Sequence, residues 1–278
     1  MTREYSYKTS KNERLAITTF GNENVETKDC LIFVHGFKGF KDWGFGPYLA
    51  KYLSSKGFFV ITFNFSHNGV NKPIDEFTEL DKFANNTYSL EVEELNELID
   101  AFKEGFFPNS NPNCKIGLIG HSRGGGISII SASNNNNVNA LVTWSAIANF
   151  DRYSDRQKTQ WRLNGKHEII NTRTKQIMNL NLTLLEDIEN NSSGSLNVEK
   201  ALIEMNKPYL IIHGEQDLAV KVEEAKQIYD WSNKSITVLE TIPKTGHTFD
   251  IKHPFEGTND KFENVLELTS SFFINSFK

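Results

Sequence analysis

From Cys30 onward, short apolar runs alternate with longer amphipathic segments, and this alternation limits the fold more than any other feature of the sequence. Six near-continuous apolar runs occupy residues 30–36, 58–65, 114–120, 138–147, 207–214 and 235–242. Runs of this kind are typical of strands that are buried on both faces. The helical spacing of apolar residues predicts helices over 46–56, within 85–107, and over 122–133, 220–231 and 261–277. The order predicts the α/β class, with a mostly parallel central sheet and helices on both of its faces.

Two segments depart from this alternation. The first twenty residues alternate more weakly, which predicts antiparallel strands at one edge of the sheet. The segment 149–206 is too long for a structureless loop. Its apolar residues Ile169, Ile177, Leu180, Leu184, Leu185 and Ile188 recur at helical intervals, and a second helix is predicted over 198–205. We predict a core of residues 1–148 and 207–278, with 149–206 as a helical cap insertion.

The insertion can be interpreted in two ways. It leaves the predicted strand 138–147 at its carboxyl end, where ligands bind in open α/β sheets. A cap over an active site is the interpretation that this position favours. The alternative is a helical segment that packs on the domain and contributes only stability.

Composition excludes several function classes. The 278 residues include 35 acidic and 30 basic residues that are interspersed, with a net charge of −5, which argues against a nucleic-acid surface. No apolar stretch is long enough to predict a membrane span. The polar first twenty residues do not resemble a secretory signal. Cys30 and Cys114 lack metal-ligand spacing and are expected to be reduced thiols, which favours a cytoplasmic location.

One pentapeptide predicts a nucleophile. Gly120-His121-Ser122-Arg123-Gly124 lies between a predicted strand and a predicted helix, the context that a nucleophilic serine on a sharp turn requires. Glycine two residues before and after the serine removes side chains that would collide with the neighbouring elements. The pattern is weak alone, since Ser122 could be an ordinary helix cap, so partners are needed.

A serine nucleophile needs a base, and the base needs an orienting acid. His247 lies in the glycine-containing loop after the strand 235–242 and is the predicted general base. Asp217 follows the strand 207–214 directly and is the predicted acid, although it could instead cap the next helix. Glu215 and Asp250 are the alternative acids. The order Ser122, Asp217, His247 is the order of this triad on an α/β-hydrolase sheet.

The remaining site predictions concern the oxyanion and the substrate pocket. The backbone N–H of Arg123, directly after the nucleophile, is one predicted oxyanion donor. The N–H of Phe37, in the loop after the first central strand, is the second. Trp161, in the insertion, and Ser145 are predicted to line the substrate pocket.

Four motifs carry a resemblance to a known family: HGF at 35–37, GHSRGG at 120–125, HGEQD at 213–217 and TGHTF at 245–249. In this order they resemble the α/β-hydrolase superfamily, from about Cys30 to the C-terminus, and in particular its dienelactone-hydrolase-like and cinnamoyl (feruloyl) esterase branch. The resemblance implies a serine hydrolase without a cofactor or metal. It also implies the same triad and oxyanion donors. Dienelactone hydrolases carry a cysteine nucleophile, so Ser122 argues against that particular reaction.

The function predicted from these residues is hydrolysis of small carboxylic esters, with short to medium acyl or aryl groups, through an acyl-Ser122 intermediate. A small-peptide or thioester hydrolase of the same fold is one alternative. A non-catalytic binding protein on the hydrolase fold is another, although such proteins typically lose a triad member. The expected partner is a small-molecule ester, with neither nucleic acid nor membrane, and a homodimer is left open.

Overall fold

A computed structural model describes residues 2–71 and 76–278 of the chain. Eight strands form one sheet in the order β1-β2-β4-β3-β5-β6-β9-β10. Their bounds are β1 Thr2–Lys8, β2 Arg14–Phe20, β3 Cys30–Val34, β4 Phe59–Asn64, β5 Ile116–His121, β6 Ala140–Trp144, β9 Tyr209–Gly214 and β10 Thr237–Ile242. The β1–β2 and β2–β4 pairs are antiparallel, and the remaining pairs are parallel. The predicted α/β-hydrolase fold, with antiparallel N-terminal edge strands, is confirmed.

The helices cover both faces of the sheet and create two apolar cores. Their bounds are α1 Gly46–Ser55, α2 Leu80–Ala84, α3 Tyr88–Lys103, α4 Arg123–Asn134, α5 Asp155–Asn164, α6 Leu182–Asn191, α7 Val198–Glu204, α8 Val222–Trp231 and α9 Asp260–Ser276. The core on one face contains α1 and α9, and the core on the other contains α3, α4 and α8. In β3, Leu31 and Phe33 enter the first core, while Ile32 and Val34 enter the second. Successive strand side chains point to opposite faces, so a central strand must be apolar throughout.

The helices can be compared with the requirements for crossing a membrane. Across residues 2–71 and 76–278, none of them combines the length and the apolar character that crossing a bilayer requires.

The insertion differs from its predicted all-helical structure. Between α5 and α6 the chain forms an antiparallel hairpin of β7 Lys166–Ile170 and β8 Ile177–Asn181. The prediction that Ile169, Ile177 and Leu180 lie on a helix was therefore wrong. In β8 the burial alternates with a period of two, since Met178 and Leu180 are buried while Ile177 is 61 % exposed. The helix predicted over 198–205 is present as α7.

Candidate active site

The turn that carries Ser122 is sterically crowded. Ser122 joins β5 to α4 with φ 58° and ψ −122°, a conformation that residues other than glycine rarely adopt. A Cβ on Gly36 would lie 2.9 Å from the Cβ of Ser122, and a Cβ on Gly124 would lie 2.4 Å from carbonyl oxygens at the end of β3. Glycine at both positions therefore lets the loop after β3 approach the serine.

Asp217 and His247 are hydrogen-bonded to each other. His247 Nδ1 lies 2.7 Å from Asp217 Oδ2, and the aspartate is only 4 % exposed. The other oxygen, Oδ1, accepts hydrogen bonds from the N–H groups of Ala219 and Val220 at 2.8 and 2.9 Å. Asp217 thus orders the loop that precedes α8 with one oxygen and contacts the histidine with the other. It does not cap α8, because the N-cap residue of that helix is Lys221 and, among the described residues, no side chain bonds to its first turn as a cap.

The charge of Asp217 is maintained by its hydrogen bonds. Burial alone would raise the pKa of Asp217, but hydrogen bonds from His213, His247 and the Val220 N–H outweigh it and hold the pKa well below its usual range. The carboxylate therefore accepts the Nδ1–H of His247. This tautomer leaves Nε2 of His247 as a proton acceptor.

The two alternative acids have other partners. Glu215 accepts a hydrogen bond from Thr241 Oγ1 at 3.1 Å, and Asp250 pairs with Lys261 Nζ at 2.6 Å. His247 is bonded to neither of them in the structure, so Asp217 is the carboxylate in position to orient it.

His121 positions the histidine loop, a role that the sequence did not indicate. Its Nε2 lies 2.9 Å from the carbonyl oxygen of His247, and the two rings are 4.8 Å apart. Burial, with a smaller contribution from the charge of His247, lowers the pKa of His121 to about 3. A neutral His121 can donate Nε2–H to that carbonyl without adding a second charge beside the base.

The two predicted oxyanion donors have free amides. Within the part of the chain that the structure describes, neither Phe37 N–H nor Arg123 N–H donates to a protein acceptor. Arg123 follows Ser122 directly, and Phe37 follows Gly36, which lies against Ser122. Two unpaired N–H groups beside the hydroxyl can stabilise an oxygen that becomes negative.

Two cavities meet at Ser122 and His247. The first, about 370 Å³, has an aromatic lining and also reaches the turn of the β7–β8 hairpin; it includes Phe33, Phe37, Phe40, Trp43, Phe45 and residues 171–173. The second, about 460 Å³, mixes apolar and cationic groups, namely Tyr88, Arg123, Ile147, Arg152 and Tyr153. Lys38 lines both cavities. A substrate could therefore place one group on each side of the serine, and the insertion forms part of the site.

The two predicted pocket residues lie elsewhere. Trp161 is fully buried and packs on Tyr153 and His167, with ring centroids 5.0 and 5.3 Å apart. It lies behind Tyr153 instead of lining a cavity that contains Ser122. Ser145 is also fully buried, at the end of β6, where its N–H donates to Ile212 O at 2.9 Å. Exposure at a strand end or helix face depends on neighbouring elements, which the sequence pattern does not specify.

Comparisons with known proteins show the family and the fold. The family model described as alpha/beta hydrolase fold matches residues 29–166, and the one described as BAAT / Acyl-CoA thioester hydrolase C terminal matches residues 102–258, more than half of the chain. No protein of curated function matches the sequence at a significant level.

Solved structures resemble the whole chain. A putative hydrolase from Agrobacterium vitis S4 has a TM-score of 0.74 at 17% identity, covering 98% of each chain. Est1E from Butyrivibrio proteoclasticus, also solved with ferulic acid bound, has 0.71 at 18% identity, covering 98% of each chain. Dienelactone hydrolase from Anabaena variabilis ATCC 29413 has 0.62 at 17% identity, covering 100% of this chain and 99% of that chain. At such identities the likeness shows the fold.

Proposed function

The chain belongs to the α/β-hydrolase superfamily and, over residues 102–258, to the BAAT / acyl-CoA thioester hydrolase C-terminal family, and from that premise we propose that it hydrolyses carboxylic esters through an acyl-enzyme on Ser122. The observation that carries this proposal is the 2.7 Å contact between His247 Nδ1 and the buried Asp217, beside a serine on a strained turn that lines the same two cavities as His247. A base oriented by a carboxylate is what a serine hydroxyl needs to become a nucleophile at neutral pH.

In the acylation step, Ser122 Oγ attacks the ester carbonyl carbon while His247 Nε2 accepts the hydroxyl proton. The carbonyl oxygen becomes an oxyanion that the N–H groups of Phe37 and Arg123 stabilise, each typically by about 3 kcal/mol. The intermediate collapses when the bond to the alkoxy oxygen breaks. His247 returns its proton to that oxygen, so an alcohol leaves and the acyl group stays on Ser122.

In the deacylation step, water attacks the acyl carbon and His247 Nε2 accepts one of its protons. The same two N–H groups stabilise the second oxyanion. Collapse releases the carboxylic acid and returns the proton to Ser122 Oγ. The side chain of His247 is 24 % exposed, so bulk water can reach the base. Asp217 stays ionised throughout and stabilises the imidazolium that forms in both steps.

The cavities favour compact substrates. Volumes of about 370 and 460 Å³ lie at the lower end of the range for small-molecule sites. The aromatic lining of the first suits an aryl or short alkyl group, and Tyr88, Ile147 and Tyr153 give the second an apolar wall. These dimensions support short to medium acyl or aryl esters.

A thioester hydrolase is the second candidate, favoured by the family match over residues 102–258. The proposed chemistry is the same, except that the leaving group is a thiolate that needs less help from His247 as an acid. Matched substrates separate the two candidates: ethyl butyrate and S-ethyl thiobutyrate differ only in the leaving atom. A larger kcat/KM for the oxygen ester supports the esterase, and a larger value for the thioester supports the alternative.

The test of the nucleophile is labelling with a fluorophosphonate, read by intact mass. Wild type should gain one adduct, and Ser122→Ala should gain none and lose turnover of ethyl butyrate. Ser133→Ala is the matched control, because Ser133 lies at the far end of α4, about 16 Å along the helix from Ser122. An adduct on Ser122→Ala would assign the nucleophile to another residue, and no adduct on folded wild type would contradict the proposal.

A further inference from the structure

The charged side chains that line the two cavities at Ser122 are cationic. Among the described residues that line the two cavities there is no aspartate or glutamate, whereas Lys38, Arg123, Arg152 and Arg173 line one or both. The chain as a whole has a net charge of −5. The lining therefore differs in sign from the protein average, and a lining cation without a carboxylate partner would attract an anionic substrate group.

Two of these cations already have carboxylate partners. Arg123 Nη2 lies 2.6 Å from Glu91, and Arg152 Nη1 lies 2.6 Å from Glu224. Lys38 differs from both. Over residues 2–71 and 76–278, the ammonium group of Lys38 has no hydrogen bond or ion pair, and its Nζ lies 5.6 Å from the centroid of the Phe37 ring.

Lys38 is held close to the reacting atoms. It directly follows Phe37, the proposed oxyanion donor, and its backbone has φ 56°. Its side chain is partly buried, and burial lowers the pKa of Lys38 because the charged form loses hydration. A bound anion would compensate for that loss, since an opposite charge nearby favours the ammonium form.

We propose that Lys38 is a specificity-determining residue that binds an anionic group of the substrate, a carboxylate or a phosphate, beside the ester that Ser122 attacks. This inference rests on the proposed function. Consecutive Cα atoms are 3.8 Å apart, so an anion on a fully extended Lys38 side chain lies at most about 14 Å from the Phe37 N–H. The substrate is then a short ester with its own acidic group. The phosphates of coenzyme A, beyond its pantetheine arm, are too far from the thioester to fill this role.

Two matched pairs of substrates distinguish the acidic groups. Monoethyl glutarate and ethyl valerate have acyl chains of equal length, with and without a terminal carboxylate. The second pair is 1-butyrylglycerol 3-phosphate and 1-butyrylglycerol, which differ only by a phosphate on the leaving alcohol. For each pair the measured quantity is the acidic-to-neutral ratio of kcat/KM, in wild type, Lys38→Met, Lys38→Arg and Lys244→Met.

Lys244 supplies the matched control. It is a lysine with a similar backbone conformation, φ 57°, it lies three residues before His247, and it is exposed and lines neither cavity. The acidic-to-neutral ratio of Lys244→Met should equal that of wild type. Lys38→Arg keeps the charge and should keep most of the preference.

The inference predicts that wild type prefers the acidic ester in at least one pair. In that pair the ratio should fall about ten- to hundred-fold in Lys38→Met, the discrimination that a hydrogen bond to a charged group gives. The loss should be in KM, because a contact remote from the carbonyl is equal in the ground and transition states.

Two results would overturn the role of Lys38: a preference for the neutral ester in both pairs, or ratios that Lys38→Met leaves unchanged. The failure of the proposed function is distinguishable, since wild type would then hydrolyse none of the four esters and Ser122 would not be labelled. If wild type hydrolyses the neutral esters through Ser122 and does not prefer the acidic esters, the proposed function stands and the role of Lys38 is refuted.

Discussion

Replacing Glu91 with alanine should destabilise the protein by several kcal/mol, because the change breaks a buried ion pair beneath the nucleophile turn. Glu91 Oε1 lies 2.6 Å from Arg123 Nη2 and accepts a second hydrogen bond from Asn86 at 2.7 Å. The side chains of Glu91 and Arg123 are 0% and 6% exposed. Arg123 directly follows Ser122, so the pair connects the start of α4 to α3.

The magnitude follows from what the substitution leaves behind. At 2.6 Å and an effective dielectric constant of about 20, the two charges attract by roughly 6 kcal/mol. The cost of removing both ions from water is several kcal/mol per ion, so the intact pair contributes little net stability. Without Glu91, the Arg123 guanidinium stays buried and uncompensated, which costs about 3–5 kcal/mol. A loss of that size lowers Tm by roughly 6–20 °C for a chain of this length.

Urea unfolding followed by circular dichroism measures this loss, with Glu93→Ala as the control. Glu93 lies two residues away on α3 and pairs with Lys11, but the two side chains are 49% and 57% exposed. Removal of such an exposed pair should cost less than about 1 kcal/mol. If the free energies of unfolding of Glu91→Ala and Glu93→Ala lie within about 1 kcal/mol of each other, the buried ion pair does not have the expected role.

A double variant separates the missing charge partner from lost packing. Glu91→Leu combined with Arg123→Met replaces both ions with apolar side chains of similar volume, so no charge is left unpaired. Such replacements of buried pairs are often neutral or stabilising. The double variant should therefore be clearly more stable than Glu91→Ala, and equal stability would assign the loss to packing.

Three further changes have defined outcomes. Asp217→Asn should lower kcat on ethyl butyrate by about 10⁴-fold through loss of the His247 tautomer, and a loss below ten-fold would contradict the role of the carboxylate. Gly36→Ala should lower kcat/KM about 10²-fold, because the new Cβ would lie 2.9 Å from the Cβ of Ser122. Unchanged kinetics would contradict this, since the loop after β3 would then have moved without displacing the serine. Burial raises the pKa of Glu94 from 4.5 to about 7 although hydrogen bonds oppose it. As pH rises, the unfolded chain therefore loses this proton at a lower pH than the folded protein does. Stability should fall by about 3 kcal/mol as pH rises from 4.5 to 7, and Glu94→Gln should lack that part of the slope in urea unfolding; parallel profiles would refute it.

The sheet could be predicted because its central strands are buried on both faces. The run Cys30–Val34 is buried at all five positions, and Tyr209–Gly214 at all six, so each appears in the sequence as a continuous apolar segment. The short hairpin in the insertion has no such signal. Only every second residue of Ile177–Asn181 is buried. Ile169 and Ile177 are eight residues apart, and Ile177 and Leu180 are three apart, so these intervals also fit a helix.

The contact between Asp217 and His247 could be predicted because parallel strands end at one edge of the sheet. Asp217 follows β9 and His247 follows β10, and these strands are neighbours in register, so their loops must meet. The positions of Trp161 and Ser145 could not be predicted in the same way. Their surroundings come from elements distant in the chain, and both side chains are fully buried.

The sequence by itself determined the strand order along the chain, the strained glycine-flanked turn at Ser122, and the loops that carry Asp217 and His247. These properties depend on local spacing and on burial periodicity. Only the tertiary structure decided which groups surround the serine: the Glu91 partner of Arg123, the Lys38 side chain and the hairpin turn at residues 171–173. These groups meet through packing between separate elements, and the free energy of such contacts depends on distance and desolvation, which sequence spacing does not specify.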